Sequence, residues 1–119
     1  MSVGLDLAHL RSVRRHLRSW LEAGGVLGQT RDDIILAAHE AVANAIEHAT
    51  LATNVTIQGR RDANSVVVLV ENRGKWRPPP SDDETRGRGL AVIREAMSSL
   101  EIDARRGRTV VRMRKQLEG

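Results

Sequence analysis

The sequence predicts an α+β fold, a two-layer sandwich in which helices cover one face of a β-sheet. Three segments place apolar residues at helical spacing, and four others have the alternating or continuous apolar pattern of strands. Their order along the chain is helix, helix, two strands, helix, two strands. A length of 119 residues fits one domain with one core, so residues 1–119 are taken as a single domain.

Composition narrows the possible functions. The chain has no cysteine, which excludes disulfides and thiolate metal sites. Its net charge of +4 comes from arginines that are scattered along the sequence without accompanying aromatic residues. No stretch is long or apolar enough to span a bilayer, and the first residues lack a secretion signal. We therefore expect a cytoplasmic protein without a nucleic-acid or membrane partner.

The first two helices follow from apolar periodicity and from their end signals. Leucine and valine residues between Leu7 and Leu21 form one apolar face, and Gly24-Gly25 provides a C-terminal cap. Thr30 begins a segment that resembles a capping box, so the second helix is expected from about Thr30 to Ala49.

The second helix carries the most informative pattern of the chain. Glu40, Asn44 and His48 recur every four residues and would lie on one narrow polar stripe. The rest of the helix has an apolar face that can pack on a sheet: Ile35, Ala38, Val42, Ala45, Ile46 and Ala49. A helix of this kind can form the floor of a binding cleft, although a solvated helix edge has the same pattern.

The middle of the chain predicts two paired strands and a loop. Residues 54–58 alternate as a half-buried strand, residues 62–65 have turn chemistry, and residues 66–70 form a continuous apolar strand. The glycine and prolines of residues 71–80 are expected to end the ladder pairing, and the charged residues 81–86 are expected to form a mobile loop.

A third helix and a hairpin complete the predicted fold. The helix opens at Gly87-Arg-Gly-Leu90 and turns Leu90, Ile93, Ala96 or Met97 and Leu100 inward. Residues 101–104 and 109–115 then form two strands about the turn at residues 105–107.

Two groups of residues have chemistry suited to a nucleotide. Gly87 and Gly89, with Arg86 and Arg88, precede or begin a helix and can form a phosphate cradle, although a Gly-x-Gly at such a place is more often a simple loop.

The polar stripe supplies the second group. Asn44 can offer an oxygen to Mg²⁺, and Glu40 can take a proton from an attacking hydroxyl. His48 is more often structural than a ligand, and it gives too few partners for a zinc site. His39 and Glu47 are interpreted as surface residues.

Four segments in order resemble the successive motifs of the GHKL, or Bergerat-fold, ATPases. They are Glu40-Ala-Val-Ala-Asn44-Ala-Ile-Glu-His48, Val70-Glu-Asn-Arg-Gly-Lys-Trp-Arg-Pro-Pro79, Gly87-Arg-Gly-Leu90 and Gly107-Arg-Thr-Val-Val-Arg-Met113. The short chain and the segment Gly74-Lys-Trp-Arg-Pro-Pro79 are similar to the bacterial anti-sigma-factor serine/threonine kinases. The resemblance implies a mixed, mostly antiparallel sheet covered on one face by three helices.

The resemblance also implies a role for individual residues. Asn44 would hold Mg²⁺ against the phosphates of ATP, and Glu40 would be the catalytic residue that orients or deprotonates the attacking hydroxyl. Asn72, Gly74 and Thr109 would lie at the base. The remaining nucleotide-binding residues would close a lid over the phosphates: Arg86, Gly87, Arg88, Gly89 and Leu90.

The partners implied by the resemblance are proteins that regulate transcription, for example in a stress response. The substrate would be a serine or threonine on a STAS-type anti-sigma-factor antagonist. The unphosphorylated antagonist would draw the kinase away from a sigma factor, and phosphorylation would release the kinase to sequester the sigma factor again. The resemblance favours a homodimer.

The sequence departs from the family pattern in two places. Asn72 stands where the family usually has an aspartate that accepts a hydrogen bond from the adenine amine. An unpaired buried amide there would cost about 1–3 kcal/mol, which weakens nucleotide binding by roughly five- to a hundredfold. The alternative is therefore a catalytically weak or inactive module that acts only by sequestering a partner. Residues 3–7 are also short for the strand that commonly precedes the first helix, as in a domain excised from a longer protein.

Overall fold

The computed structural model describes residues 2–3, 9–76, 84–105 and 107–117, with side chains described at 10–45, 55–72, 89–105 and 107–117. The described residues form three helices: α1 (His9–Ala23), α2 (Gly28–His48) and α3 (Glu84–Ala96). They also form five strands: β1 (Ser2–Val3), β2 (Ala49–Arg61), β3 (Ser65–Trp76), β4 (Ser99–Arg105) and β5 (Arg108–Gln116). The predicted order of the larger elements is confirmed.

The strands form one sheet in the order β1-β2-β3-β5-β4, and every neighbouring pair is antiparallel. The helices pack on one face of this sheet, which confirms the two-layer α+β sandwich. Alternate residues of β3 face opposite sides of the sheet. Val66, Val68 and Val70 belong to the core under the helices, while Val67 and Leu69 point away from the helices.

Helix α2 is the central helix of the helical layer. It packs against α1, α3 and three strands. Its buried surface is accordingly wider than the predicted apolar face and also includes Ile34, Ala37 and Ala41. Small residues predominate on this helix, which lets the neighbouring backbones approach closely. The side chains of Ile46 and Ala49 lie outside the described residues.

Strand β3 is longer than the sequence predicts. The expected end of the pairing within residues 71–80 is wrong in its first part, because β3 pairs with β2 as far as Trp76. Gly74 does not end the ladder, since it lies opposite an irregular stretch between Thr50 and Asn54 of β2 that has two more residues than β3. Of the expected mobile loop at residues 81–86, residues 81–83 lie outside the described residues, and the expectation is wrong for residues 84–86, which belong to α3.

Helix α3 also begins earlier than predicted, at Glu84 rather than at Gly87. Both Gly87 and Gly89 therefore lie inside the helix. A glycine costs up to about 1 kcal/mol in a helix interior, so its presence there usually has a packing reason. For Gly89 that reason is a close contact with α2, described below.

Two basic residues, Arg31 and Lys115, make polar contacts that join the helices to each other and to the sheet. Arg31 at the start of α2 donates to Glu22 of α1 at 2.8 Å and to Asp32 at 3.0 Å. The hydrogen bond with Asp32 is the main reason why the pKa of Arg31 is raised. Lys115 of β5 lies on the helix side, where its Nζ donates to Asp33 at 3.2 Å and to the carbonyl oxygen of Ala96. Lys115 therefore connects β5, α2 and α3.

The terminal hairpin is confirmed, with Gly107 at its turn in a left-handed conformation (φ 76°) that favours glycine. The expectation that Leu100 belongs to the third helix is wrong, because α3 ends at Ala96 and β4 begins at Ser99. No helix in the described part of the chain has the length and hydropathy needed to cross a bilayer.

Candidate functional site

The polar stripe of α2 meets the glycine motif of α3. A Cβ atom added at Gly89 would lie 2.8 Å from Nδ2 and 2.9 Å from Oδ1 of Asn44, closer than real Cβ contacts occur. The amide of Asn44 thus lies directly against the Gly89 backbone, and any larger residue at position 89 would displace it. The fold therefore brings the polar stripe of α2 into contact with the glycine motif of α3, although the two are distant in sequence.

Glu40 lies one turn before Asn44 on the same side of α2. Both side chains are half-buried, which places them at the boundary between the core and solvent. This is a position from which a carboxylate and an amide can reach a bound group without the full cost of burying a charge. His48 is the last residue of α2, and its side chain is not described.

Asn72 and Thr109 form a second polar pair, on the helix-facing side of the sheet. They are directly opposed across β3 and β5, and they are only 2% and 3% exposed. Both polar atoms of the Asn72 side chain and the hydroxyl of Thr109 have no hydrogen-bond partner among the described residues. On the other side of Asn72 lies the fully buried Val55 of β2, which offers no polar group.

Unpaired buried polar groups are uncommon in folded proteins and each costs about 1–3 kcal/mol. Two of them on adjacent strands leave polar groups that an ordered water or a ligand can satisfy. The amide of Asn72 offers a donor and an acceptor, and the hydroxyl of Thr109 offers the same. Adenine presents an amine donor and ring-nitrogen acceptors on its edge, so the pair fits a purine base in chemical type.

The contact between Asn44 and Gly89 fits the phosphate end of a nucleotide. Within the described residues no group of three histidine, aspartate or glutamate side chains could hold a metal ion alone. Mg²⁺ commonly binds through one or two protein oxygens plus phosphate oxygens, and Asn44 can supply one such oxygen. The residues present therefore fit Mg²⁺ together with a nucleotide.

The remaining predicted site residues are placed in part. Gly74 lies in β3 beside the irregular stretch of β2, two residues after Asn72. Arg86 and Arg88 lie on α3 with Gly87, but their side chains are not described. Leu90 is half-buried and packs against the core, so its side chain fixes α3 in place.

The surface position expected for His39 is confirmed only in part. His39 is half-buried, and its Nδ1 atom is buried without a hydrogen-bond partner among the described residues. Helical periodicity places His39 beside Glu40 but off the polar stripe, so the sequence gives no other indication that its side chain is partly buried.

A comparison with protein families matches residues 3–115 to the histidine kinase-like ATPase domain. Among solved structures, the chain is similar to the histidine kinase domain of the blue-light activated histidine kinase from Erythrobacter litoralis EL346, with 18% identity and a TM-score of 0.64. That match covers 97% of this chain and 62% of the Erythrobacter chain, so this chain spans less than two thirds of that protein's length.

Two further structures have the same fold. The catalytic domain of the histidine kinase ThkA is 17% identical with a TM-score of 0.59, and the match covers 98% of this chain and 94% of that domain. The histidine kinase AdeS of Acinetobacter baumannii is 18% identical with a TM-score of 0.55, covering 75% of this chain and 48% of that one.

These structural matches show the fold, and the family match extends over nearly the whole chain. The family match supports ATP binding and a general activity of the kinase or ATPase type. The chain belongs to the histidine kinase-like ATPase domain family.

Proposed function

We propose that this domain is an ATP- and Mg²⁺-dependent serine/threonine protein kinase that also acts as an anti-sigma factor. The observation that carries nucleotide binding is the buried pair of Asn72 and Thr109, whose polar side chains lack partners within the described chain. The family match supports the nucleotide and the general type of activity. The anti-sigma role rests on the motif resemblance, including the segment Gly74-Lys-Trp-Arg-Pro-Pro79.

At the base, Asn72 and Thr109 would each exchange hydrogen bonds with the adenine edge. This removes the cost of two buried unpaired groups, so binding gains free energy that the free protein lacks. Gly74 lies two residues beyond Asn72 on β3 and leaves room where a side chain would project.

At the phosphates, Asn44 would hold Mg²⁺ through its side-chain oxygen, and Gly89 keeps the space beside Asn44 open. Arg86, Gly87 and Arg88 belong to the first turns of α3, where backbone amides and basic side chains favour anions. Bound Mg-ATP supplies the activated phosphoryl group. Glu40 would orient the hydroxyl of the protein substrate and accept its proton, which is the contribution expected of a general base.

The substrate in this proposal is a serine or threonine of a STAS-type antagonist, and the second partner is a sigma factor. Exclusive choice between the two partners would make the domain a transcriptional switch, and a cytoplasmic location and a homodimer belong to the same proposal. Phosphoryl transfer needs positioning and charge neutralisation more than covalent chemistry, so the few polar groups present suffice.

A second candidate function is supported by one observation, the asparagine at position 72. Without the family's carboxylate, the domain can be a module that sequesters a partner and transfers no phosphate. The two candidates differ in one measurable respect, namely turnover of ATP in the presence of an antagonist.

The direct test is incubation of the purified chain with Mg-ATP and STAS-type proteins of the source organism, followed by intact-mass measurement of the latter. A mass increase of one phosphate, absent with Glu40→Gln, supports the kinase. Formation of a sigma-factor complex without any phosphorylation of the antagonists would instead support the sequestering module.

A further inference from the structure

The face of the sheet that points away from the helices carries an apolar floor. We call it the outer face and define it by the outward residues of β2, β3, β5 and β4: Gln58, Arg60, Val67, Leu69, Glu71, Arg108, Val110, Arg112, Arg114, Ser99, Glu101, Asp103 and Arg105. Val67 is only 5% exposed although it does not belong to the core cluster. Leu69 and Val110 are half-buried on the same side.

Arginines border this floor. Val67 lies directly between Arg60 of β2 and Arg114 of β5, and Leu69 lies between Gln58 and Arg112. Arginine stems can cover apolar surface while their charged ends remain in water, and such side chains can move aside for a partner. Arg60 and Arg114 stand in the register positions next to Val67 from which they can do so.

Two depressions on the outer face meet at Leu69 and Arg112. One has a volume of about 680 Å³ and lies over β2 and β3, with Arg60 and Val67 in its lining. The other has a volume of about 470 Å³ and extends over β5 and β4, with Val110 and Glu101 in its lining. Each depression therefore combines an apolar floor with a charged rim.

The charge of the outer face is positive, with five arginines and three carboxylates. Two carboxylates are held by arginines of the same face, since Glu71 pairs with Arg108 at 2.7 Å and Asp103 pairs with Arg105 at 3.2 Å. Arg112, which borders both depressions, forms no ion pair in the described part of the chain.

We propose that the outer face docks an acidic segment of another protein, with apolar side chains in the two depressions and a carboxylate on Arg112. Arginine suits this role because its planar guanidinium binds a carboxylate through two parallel hydrogen bonds. A second copy of this chain fits less well, because its outer face has the same positive excess. Nucleic acid also fits less well, because carboxylates interrupt the arginines and none of the residues that define the outer face has an aromatic ring to stack on a base.

The site is independent of the nucleotide site, because it lies on the opposite side of the sheet from Asn72 and Thr109. The proposal can therefore fail while the proposed kinase function stands. The reverse also holds, since a domain without kinase activity can still use the outer face.

The test uses the full chain with ¹⁵N labelling and a synthetic peptide in which two leucines are flanked by glutamates and aspartates. We expect the largest amide shifts at Val67, Leu69, Val110 and Arg112. Replacing the leucines by serine, or the acids by their amides, should each weaken binding about tenfold or more.

A pair of matched variants separates this surface from general electrostatic attraction. Arg112→Glu should weaken binding of the peptide by about tenfold or more, whereas Arg18→Glu makes the same charge change on the exposed side of α1 and should change it less than about twofold.

Three results would overturn the proposal. They are equal effects of Arg112→Glu and Arg18→Glu, no binding of the peptide at low ionic strength, and self-association of the free chain that Arg112→Glu abolishes. The last result would assign the outer face to a second copy.

Discussion

Asn72 and Thr109 are directly opposed on β3 and β5, and each is buried with a polar side chain that has no partner within the described residues. The free protein bears the cost of this arrangement, which a ligand can remove. Residues of this kind affect stability and binding in opposite directions, because a change that stabilises the free protein deletes a group that recognises the ligand.

Thr109→Val tests this opposition directly. Removal of the unpaired hydroxyl should raise the free energy of unfolding of the free protein by about 1 kcal/mol and weaken ATP binding by several-fold. Thr109→Ser keeps the hydroxyl and should preserve binding. Urea denaturation and calorimetric titration measure the two effects, and equal ATP affinity in all three proteins would remove Thr109 from the site.

Asn72→Asp restores the carboxylate that the family usually has at this position. We expect ATP to bind about five- to a hundredfold more tightly, because the carboxylate accepts the hydrogen bond of the adenine amine. The free variant should be less stable than the natural chain, since an unpaired carboxylate replaces an amide in a buried position. If both proteins bind ATP equally and tightly, the asparagine does not mark an inactive module.

Gly89→Ala should disturb the phosphate end of the site. The new methyl group would collide with the amide of Asn44 at 2.8–2.9 Å, so we expect a loss of about 1–3 kcal/mol in stability and weaker Mg-ATP binding. The double variant with Asn44→Ala provides the control. It should recover stability because the collision is relieved, but it should not recover Mg²⁺-dependent binding.

Glu40→Gln keeps the size of the side chain and removes its basicity. We expect phosphate transfer to an antagonist to fall by about 10²- to 10⁴-fold with ATP affinity nearly unchanged. Transfer is measured by initial rates with excess substrate and affinity by calorimetry. Normal turnover would contradict the role assigned to Glu40.

The packing of α1 on the sheet gives a prediction that does not depend on any ligand. A Cβ atom at Gly59 would lie 2.7 Å from the ring of Trp20, whereas one at Gly24 would meet its nearest atom at 3.5 Å. Gly59→Ala should therefore destabilise the fold by about 1–3 kcal/mol and change the fluorescence of Trp20, while Gly24→Ala should be nearly neutral. Equal effects of the two substitutions would contradict this packing.

The sequence predicted the fold well because periodicity and end signals agree along most of the chain. The stripe of Glu40 and Asn44 followed from four-residue spacing alone. The contact between Asn44 and Gly89 did not follow from spacing, since a contact between two helices depends on how both pack on the sheet. The partial burial of His39 likewise depends on neighbouring elements rather than on the periodicity of α2.

The ends of β3 and α3 differ from the sequence prediction at glycines, which disfavour both strands and helices. An irregular stretch in β2 accommodates Gly74, so the pairing of β3 continues to Trp76. Helix α3 begins at Glu84, before Gly87. In both cases tertiary packing tolerates a residue that is unfavourable in isolated elements.

The central claim is that the domain binds ATP between the polar pair of the sheet and the stripe of α2. The most direct measurement is calorimetric titration of the purified chain with ATP, with and without Mg²⁺, beside Thr109→Val and Asn44→Ala. Our account predicts micromolar, Mg²⁺-dependent binding that both substitutions weaken and that Asn44→Ala makes less dependent on Mg²⁺. No binding at millimolar ATP, or binding that neither substitution changes, would contradict it.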